Sequence, residues 1–331
     1  KNPSLSYREK KAIVKVHAVG VCGSDVENYY KTHSKSEVPY ILGHEFSGSI
    51  FSLPKNYKGN FKIKDKVACE TVHSVCNNCK FCKNNLYNLC RQRKMIGGST
   101  MNGAYSKFVK VPLKYIHKLK KNISMDDASI IEPMCVAYNA VINNSKVNKN
   151  SFTVIFGGGT IAIMSAKMIN YLSGKVIIVC TQKDVSLLRK LKNTKFHKIL
   201  IYSNNIENKI LKITKEKGIS LIIDAVGGVK QTFETSINII DPGGQITKIG
   251  WFINRNEFNL DRIIKKNVKF QGSFSHNYPI WEKCIELLSK KKIQIKDVIT
   301  HKLPLKDWKL AFDYAKKRKG IKILLDPNYD R

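Results

Sequence analysis

The sequence predicts an α/β protein of two domains, one mostly β and one built on a doubly wound parallel sheet. Three observations support this fold class. The 331 residues exceed what one hydrophobic core usually serves. The first third of the chain is rich in short strands, whereas from Ser151 onward strands and helices alternate. Repeated β-α alternation is typical of a parallel sheet with helices on both faces.

The composition is that of a globular protein with a strongly basic surface. Hydrophobic residues make up an ordinary 43%, and no apolar run approaches the roughly 20 residues that span a bilayer, so we expect no membrane partner. The formal net charge is +33, but the excess is nearly all lysine. Arginine, whose planar fork dominates specific phosphate and base recognition, is scarce. We therefore expect no nucleic-acid partner, and the positive field favours anionic ligands such as a nucleotide cofactor.

The first third carries a candidate metal site. Apolar and polar residues alternate over 12–19, which predicts a half-buried strand. The glycine-containing turn that follows exposes Cys22, and a later turn carries His44 and Glu45. A thiolate, an imidazole and a carboxylate are all zinc ligands, so the three side chains are candidates for one site. Single Cys and His residues are more often core or surface residues, so this prediction depends on the motifs below.

The firmest metal-binding signal is the Cys-x2-Cys-x2-Cys-x7-Cys pattern of Cys76, Cys79, Cys82 and Cys90. This spacing lets one loop surround a single Zn²⁺ with four thiolates, which fills every coordination position and makes the site structural. The alternative is a disulfide-bonded loop, as in small secreted domains. Five of the nine cysteines are scattered elsewhere, and no signal peptide is recognised. We therefore expect a zinc loop in a protein of the reducing cytoplasm.

A carboxylate in an apolar helix is the next unusual feature. Ser124 is predicted to cap a helix, with Asp127 placed for a capping box. Apolar residues then recur at helical spacing, and Glu132 lies among them, directly before Pro133. Two interpretations stay open at this point. Glu132 is either an exposed acid that the helix dipole stabilises or a carboxylate directed at a metal.

A glycine-rich turn predicts a dinucleotide-binding domain. The strand over 152–156 leads directly into Gly157-Gly158-Gly159-Thr160-Ile161-Ala162, a Gly-x-Gly-x-x-Ala motif. Its first glycine permits a tight turn, its second lets a pyrophosphate approach the backbone, and the following helix N-terminus stabilises the anion. A helix over 163–172 and strands over 175–180, 198–202, 220–224 and 245–249 complete the pattern of a Rossmann domain. The alternative is a doubly wound domain that binds another ligand.

The end of the second strand of this domain favours NADP over NAD. Enzymes that prefer NAD place an acid there, roughly 20 residues beyond the glycine turn, to bind the ribose hydroxyls. This chain has Thr181 and Lys183 instead, with no carboxylate before Asp184. Lys183, with Arg189 further along the same predicted helix, is suited to a 2′-phosphate. The alternative is that Lys183 is one more surface lysine and that Asp184 holds the ribose.

Taken together and in this order, the motifs resemble the zinc-containing medium-chain dehydrogenase/reductase family. They are Cys22-Gly-Ser-Asp, Gly43-His44-Glu45, the four-cysteine loop, Glu132-Pro133 and the glycine turn. The similarity covers nearly the whole chain and is closest to the polyol branch, the sorbitol (L-iditol) dehydrogenase-like proteins. It implies a GroES-like catalytic domain made of residues 1–138 and 271–331, with the Rossmann domain, residues 139–270, inserted between them. It also implies a homodimer or homotetramer.

The resemblance further assigns roles to individual residues. Cys22, His44 and Glu45 would bind a catalytic zinc, and Glu132 would approach or replace its bound water. Ser24 would relay the substrate proton. The residues predicted to bind the cofactor are Gly157, Gly159, Thr160, Ile161, Thr181, Lys183, Val226, Gly250, Ser273 and Phe274. We therefore expect an oxidoreductase with two zinc ions per chain and NADP or NAD, which interconverts a secondary alcohol of a polyol, sugar derivative or cyclitol and a ketone.

One departure from the polyol branch bears on the substrate. Sorbitol dehydrogenases carry an Arg-Tyr pair around the segment that here reads Phe274-Ser275-His276-Asn277, which puts sorbitol itself in doubt. An L-threonine 3-dehydrogenase-like enzyme is the closest alternative. Outside that class, the alternatives are a zinc-ribbon protein that binds nucleic acid through its lysines and a catalytically silent relative. The intact Cys22, His44 and Glu45 set argues against both.

Overall fold

The computed structural model describes residues 10–30, 40–98, 101–214, 218–251 and 257–329. These residues form two compact units. The first comprises the described parts of Lys1–Pro133, His276–Lys291 and Val298–Arg331, and the second those of Met134–Ser275 and Lys292–Asp297. The predicted domain boundaries, after residues 138 and 270, differ by five residues from the junctions after 133 and 275. Residues 292–297, which the prediction assigns to the catalytic domain, pack with the second unit.

The secondary structure follows the expected change from strands to alternating elements. In chain order the strands are β1 (Lys11–Gly20), β2 (Glu45–Ser52), β3 (Lys66–Cys69), β4 (Val72–Ser74), β5 (Lys94–Met95), β6 (Phe108–Pro112), β7 (Ile116–Lys118), β8 (Phe152–Phe156), β9 (Lys175–Cys180), β10 (Lys198–Ile201), β11 (Leu221–Asp224), β12 (Gln245–Lys248), β13 (Lys269–Gly272), β14 (Ile299–Pro304) and β15 (Lys322–Asp326). The α-helices are α1 (Gly23–Tyr29), α2 (Lys80–Lys83), α3 (Met125–Ala128), α4 (Ile131–Tyr138), α5 (Thr160–Tyr171), α6 (Gln182–Arg189), α7 (Ile206–Thr214), α8 (Gln231–Ile239), α9 (Asp261–Lys265), α10 (Tyr278–Ser289) and α11 (Trp308–Lys316). Short 3₁₀ helices cover Tyr87–Leu89, Leu113–Tyr115, Lys296–Val298 and Leu305–Asp307, and a π-helical turn over Asn139–Asn143 follows α4.

The first unit is built on a seven-stranded, mostly antiparallel sheet. Its strands lie in the order β14-β15-β1-β2-β3-β7, and β6 pairs with β1. The alternation predicted for β1 is present, because Val14 and Val16 are fully buried while Lys15 is exposed. These valines pack with Phe46 of β2 and Phe312 of α11 in one hydrophobic core. The C-terminal strand β15 thus lies beside β1, near the start of the chain.

The sequence over 103–111 predicts a further strand, but in the structure β6 begins only at Phe108. The reason is tertiary. The backbone N–H groups of Gly103, Ala104 and Tyr105 donate to the carbonyl groups of residues 41, 43 and 42. These bonds hold residues 103–105 against the turn before His44 instead of against a neighbouring strand.

The second unit contains a six-stranded sheet in which all strands are parallel. The order is β10-β9-β8-β11-β12-β13. The central strand β8 is buried along its whole length, as expected of a strand covered on both faces. The strand order reverses between β8 and β11, and such a switch point opens a crevice at the carboxyl ends of the strands. The predicted α/β class with a Rossmann-type sheet is confirmed.

None of the helices within the described ranges is long and apolar enough to cross a membrane.

Candidate metal and cofactor sites

The four-cysteine loop lies between β4 and β5 and brings its sulfur atoms together. The Sγ atom of Cys76 is 3.8 Å from that of Cys82 and 3.6 Å from that of Cys90, and Cys79 and Cys82 are 3.6 Å apart. A tetrahedron of thiolates around zinc, with Zn–S bonds of 2.3 Å, has sulfur–sulfur edges of about 3.8 Å. No two of these atoms are at the roughly 2.05 Å of a disulfide, and all four cysteines are free. The geometry fits a zinc loop and not the disulfide alternative.

The electrostatics of the loop also fit a cation. Backbone N–H groups of Asn78 and Cys79 donate to the Cys76 sulfur and lower the pKa of this thiol to about 6. Desolvation and hydrogen bonds shared with Cys79 and Cys90 raise the pKa of Cys82 to about 12. Four thiols this close oppose each other's ionisation. A bound Zn²⁺ would remove that opposition and hold all four as thiolates.

A second group of potential metal ligands lies at the end of β1 and the beginning of β2. The ligand atoms of Cys22, His44 and Glu45 all lie within 4.8 Å of one another. Cys22 directly precedes α1, and Glu45 is the first residue of β2. The register of the two strands places Gly20 opposite Glu45, so the turn after β1 is adjacent to the turn before β2. The three residues that the sequence proposes for the catalytic zinc are therefore neighbours in space.

A rigid turn presents His44. Gly43 has a φ of +96°, a conformation that residues with a side chain rarely adopt, and a Cβ atom here would lie 2.8 Å from the Tyr105 ring. The Gly43 carbonyl accepts a hydrogen bond of 2.8 Å from the N–H of Ala104. The position of the imidazole therefore depends on a backbone conformation that glycine alone adopts easily.

Asp25 lies beside His44, a contact that the sequence analysis missed. The buried carboxylate lies 3.3 Å from His44 Nδ1 and accepts a hydrogen bond of 2.8 Å from the Tyr105 hydroxyl. With Nδ1 on a carboxylate, Nε2 is the nitrogen left for a metal. Burial lowers the pKa of His44, but the charges of Asp25 and Cys22 outweigh it and raise that pKa well above its usual value. The sequence did offer one signal for Asp25, namely its position three residues after Cys22, at the start of α1.

Lys322 is a second functional residue that sequence reasoning missed. Its Nζ atom lies 2.6 Å from Glu45 Oε2 and donates to the Val21 carbonyl at 3.0 Å. Burial raises the pKa of Glu45, and the Lys322 charge opposes that shift. The two residues are 277 positions apart, so no local sequence pattern predicts the ion pair.

Glu132 and Ser24 lie close to this group without belonging to it. Glu132 is only 9% exposed, so the interpretation as an exposed acid at a helix start is wrong. Its carboxylate is not among the ligand atoms that lie within 4.8 Å of one another. It bonds instead to the ring of His276. The hydroxyl of Ser24 donates to the Cys22 sulfur at 3.3 Å and is exposed.

The glycine turn has a backbone of the kind that precedes a phosphate-binding helix. Gly157 follows β8 with a φ of +118°. Gly159 directly precedes α5, whose first two residues are Thr160 and Ile161. The helix therefore begins three residues earlier than predicted. The twelve residues of this helix direct its N-terminal N–H groups toward the turn. A Cβ atom on Gly158 would lie 2.5 Å from the Asp184 side chain. The turn is therefore closely packed against the start of α6.

Beyond the end of β9, the first turn of α6 carries a hydrogen-bonded carboxylate, Asp184, and an exposed lysine, Lys183. The Asp184 carboxylate accepts hydrogen bonds of 3.0 Å from the Thr181 N–H and 2.7 Å from the Thr181 hydroxyl, and so caps α6. Asp184 is 2% exposed. Lys183 and Arg189 are both exposed on the same helix.

The remaining candidate cofactor residues follow β11, β12 and β13, at the carboxyl edge of the sheet. The Val226 carbonyl accepts a hydrogen bond of 2.8 Å from Lys248 Nζ, and a Cβ atom on Gly250 would lie 2.1 Å from that carbonyl oxygen. Ser273 is buried, whereas Phe274 is exposed. Because the strands are parallel, these residues share an edge with the glycine turn. Lys248, a buried base in a central strand, was not predicted.

Comparison with known proteins identifies the family. Residues 8–121 match the alcohol dehydrogenase GroES-like domain, and residues 157–290 match the zinc-binding dehydrogenase family. The sorbitol dehydrogenase of Halalkalibacterium halodurans is 31% identical over 95% of this chain and 91% of its own length. The D-arabitol-phosphate dehydrogenase of Enterococcus avium is 30% identical over 97% of this chain and 91% of its own length.

Solved structures show the same fold. A short chain alcohol dehydrogenase from E. coli CFT073, complexed with the cofactor NADH, superimposes with a TM-score of 0.87 over 98% of this chain and 94% of that chain, at 21% identity. The fold and both sequence matches confirm the predicted resemblance. The chain belongs to the zinc-containing medium-chain dehydrogenase/reductase family of alcohol and polyol dehydrogenases.

Proposed function

We propose that the protein uses zinc and NAD(P) to interconvert a secondary alcohol of a polyol, sugar derivative or cyclitol and the corresponding ketone. The observation that carries this proposal is the group formed by Cys22, His44 and Glu45, whose ligand atoms lie within 4.8 Å of one another. Three protein ligands leave a fourth zinc position open, as catalytic sites require. The relatives named sorbitol dehydrogenase and D-arabitol-phosphate dehydrogenase support a polyol or its phosphate as substrate.

The residues around this group have defined tasks. A zinc ion, when bound, polarises the alcohol oxygen and lowers its pKa. Asp25 holds the His44 ring so that Nε2 is available to the metal. Ser24 is exposed beside Cys22, where its hydroxyl can take the substrate proton and pass it to solvent. Glu132 supplies a further buried carboxylate near the site, beside those of Asp25 and Glu45.

We propose that a second zinc ion fills the four-cysteine loop and stabilises the fold. The sulfur–sulfur distances of 3.6 to 3.8 Å support it. A disulfide between any two of these cysteines would abolish the site, which is why a reducing compartment, the cytoplasm, is the proposed location.

For the cofactor we propose NADP over NAD. The ribose of NAD needs a carboxylate that is free to accept from its hydroxyls. Asp184 already accepts two hydrogen bonds from Thr181 in the cap of α6. Lys183 is exposed on the first turn of the same helix and is suited to a 2′-phosphate.

We also propose a homodimer or homotetramer. Among the described residues, β13 is the strand at one edge of the sheet. Phe270 of this strand is 49% exposed, and Ile264 of α9 is 74% exposed. An uncovered strand edge with apolar residues is a surface on which a second copy can add its own sheet. Light scattering tests this proposal, and a fully active monomer would refute it.

A substrate screen tests the proposed function. Purified, zinc-loaded enzyme is assayed with polyols, polyol phosphates, cyclitols and amino alcohols, with both NAD and NADP. We expect turnover of a secondary alcohol in the first three classes. Turnover confined to L-threonine would replace the proposal with an amino-alcohol dehydrogenase. No turnover of any alcohol by zinc-loaded enzyme would overturn it.

A further inference from the structure

The departure from the polyol branch at residues 274–277 places a buried histidine beside Glu132. The Nε2 atom of His276 lies 3.0 Å from Glu132 Oε1. On the other side of the ring, Trp281 Nε1 donates to His276 Nδ1 at 2.8 Å. Both His276 and Trp281 have no exposed surface. The three side chains therefore form a continuous hydrogen-bonded chain from α10 to α4.

The chemistry of the groups determines the direction of this chain. An indole N–H is a donor only, so the nitrogen that it faces must carry a lone pair. His276 Nδ1 is consequently the acceptor, and the proton of the neutral ring is on Nε2. Nε2 then donates to the Glu132 carboxylate. Trp281 selects the one tautomer of His276 that can hold Glu132.

Trp281, the first residue of this hydrogen-bonded chain, is held rigidly in place. The Trp281 ring is stacked on the ring of His117, with centroids 5.2 Å apart and planes 7° from parallel. His117 is itself held between Glu70, at 3.1 Å, and Glu282, at 2.5 Å. A side chain packed and bonded in this way has little rotamer freedom. The orientation imposed on His276 is therefore well defined.

We propose that His276 is a positioning residue for the reaction, which orients the Glu132 carboxylate through Nε2–H under the control of Trp281. The inference rests on the proposed function, which places Glu132 beside the catalytic zinc. The polyol branch has an arginine around this segment, which offers several donors and a permanent charge. In this chain the segment supplies one directed, neutral donor, His276 Nε2–H, which lies 3.0 Å from the Glu132 carboxylate.

Two amide variants of His276 distinguish the hydrogen bond to Glu132 from the hydrogen bond to Trp281. The Nε2 atom of a glutamine reaches about as far from the backbone as the imidazole Nε2, so His276→Gln keeps a donor for Glu132. The asparagine amide reaches only as far as Nδ1, so His276→Asn keeps a partner for Trp281 and loses the donor. We expect kcat to fall on the order of tenfold in His276→Asn, the value of one hydrogen bond to a charged group. His276→Gln should recover most of it, and the KM for the cofactor should stay the same in both.

A second measurement does not depend on activity. Nitrogen-15 NMR of the imidazole rings in the zinc-loaded protein distinguishes a bare Nδ1 from a protonated one, and the His276 signal is assigned by its absence in His276→Gln. We expect a bare Nδ1 and a protonated Nε2 in the wild type. In Trp281→Phe, which removes the donor and keeps a flat apolar side chain, we expect the two tautomers to mix and kcat to fall.

The outcomes separate this inference from the proposed function. An active wild type with unchanged kcat in His276→Asn and Trp281→Phe would overturn the positioning role and leave the proposed function intact. A protonated Nδ1 in the wild type would also overturn it. Equal losses of kcat in the Asn and Gln variants, with equally lowered melting temperatures, would reduce His276 to a core residue. A wild type without turnover but with the expected tautomer would refute the proposed function alone.

Discussion

The ammonium group of Lys322 and the carboxylate of Glu45 lie 2.6 Å apart in the interior of the first unit, and both side chains are at most 3% exposed. Each charge is therefore deprived of water and depends on the other. The carboxylate belongs to the proposed catalytic zinc site, whereas the ammonium comes from the C-terminal strand β15. The pair thus ties the metal site to the far end of the chain.

Loss of this ammonium should destabilise the protein strongly. Lys322→Met leaves the Glu45 carboxylate buried without a partner, and we expect a loss of about 3–5 kcal/mol in the free energy of unfolding. The double variant Lys322→Met/Glu45→Gln should recover part of it. Lys317→Met, which breaks a surface pair with Asp313, is the matched control and should cost less than about 1 kcal/mol. Denaturant unfolding measures all three, and equal effects of the two lysine substitutions would contradict this interpretation.

The two proposed zinc ions should have separable roles. Cys79→Ser removes a ligand from the closed four-cysteine loop, and we expect loss of soluble protein because such a site contributes folding free energy. Cys22→Ser should leave a folded protein that binds cofactor and does not turn over. Metal analysis of the active, unchelated enzyme should find two zinc ions per chain. One zinc ion or none would rule this division out.

Lys183→Ala should change the preference between the two cofactors. A charge-assisted bond to the 2′-phosphate contributes roughly 1.5–3 kcal/mol, so the KM for NADP should rise about ten- to a hundredfold. The KM for NAD should hardly change. Lys190→Ala removes an exposed lysine from the other end of α6 and should affect neither. If the wild type has the higher kcat/KM with NAD, the idea fails and Asp184 becomes the residue to test.

The stability contributed by His117 should decrease as the pH rises. Burial lowers the pKa of His117, but hydrogen bonds to Glu282 and Glu70 outweigh it, so the net shift is upward. A group whose pKa is higher in the folded state stabilises fully below its unfolded value, about 6.5, and loses that contribution as the pH rises through its folded pKa. His117→Gln should therefore cost about 2 kcal/mol or more at pH 5.5 and less at pH 9.

Thermal unfolding between these two pH values measures this change. His197→Gln is the control, since His197 is exposed and contacts the Phe152 ring. It should show little effect at either pH. A cost of His117→Gln that grows toward pH 9 would contradict the direction of the shift.

The features that the sequence predicts well are those written into short stretches of chain. The cysteine spacing, the glycine turn and the alternation in β1 are local patterns with a local physical cause. The parallel arrangement of the Rossmann strands follows from repeated β-α alternation in the same way. The sequence predicts that α5 begins at residue 163, whereas it begins at Thr160, because the glycine turn gives little local sign of where helical backbone begins.

Two of the features that sequence reasoning missed join residues far apart in the chain. Lys322 pairs with Glu45 across 277 positions, and His276 with Glu132 across 144. Their partners are chosen by tertiary packing, and neither residue type is unusual where it stands. The shortened strand at Phe108 has the same cause, since the residues before it bond to the turn that carries His44.

The pairing of β1 with β15 has a consequence for the order in which the protein matures on the ribosome. The four cysteines of the loop lie within a stretch of 15 residues, from Cys76 to Cys90, and can bind the proposed zinc ion as soon as that stretch emerges from the ribosome. Glu45 can form its ion pair only after Lys322 has been synthesised and β15 has joined the sheet. During translation the proposed structural zinc site can therefore form early, whereas the proposed catalytic site reaches its final electrostatic state only after β15 has been synthesised.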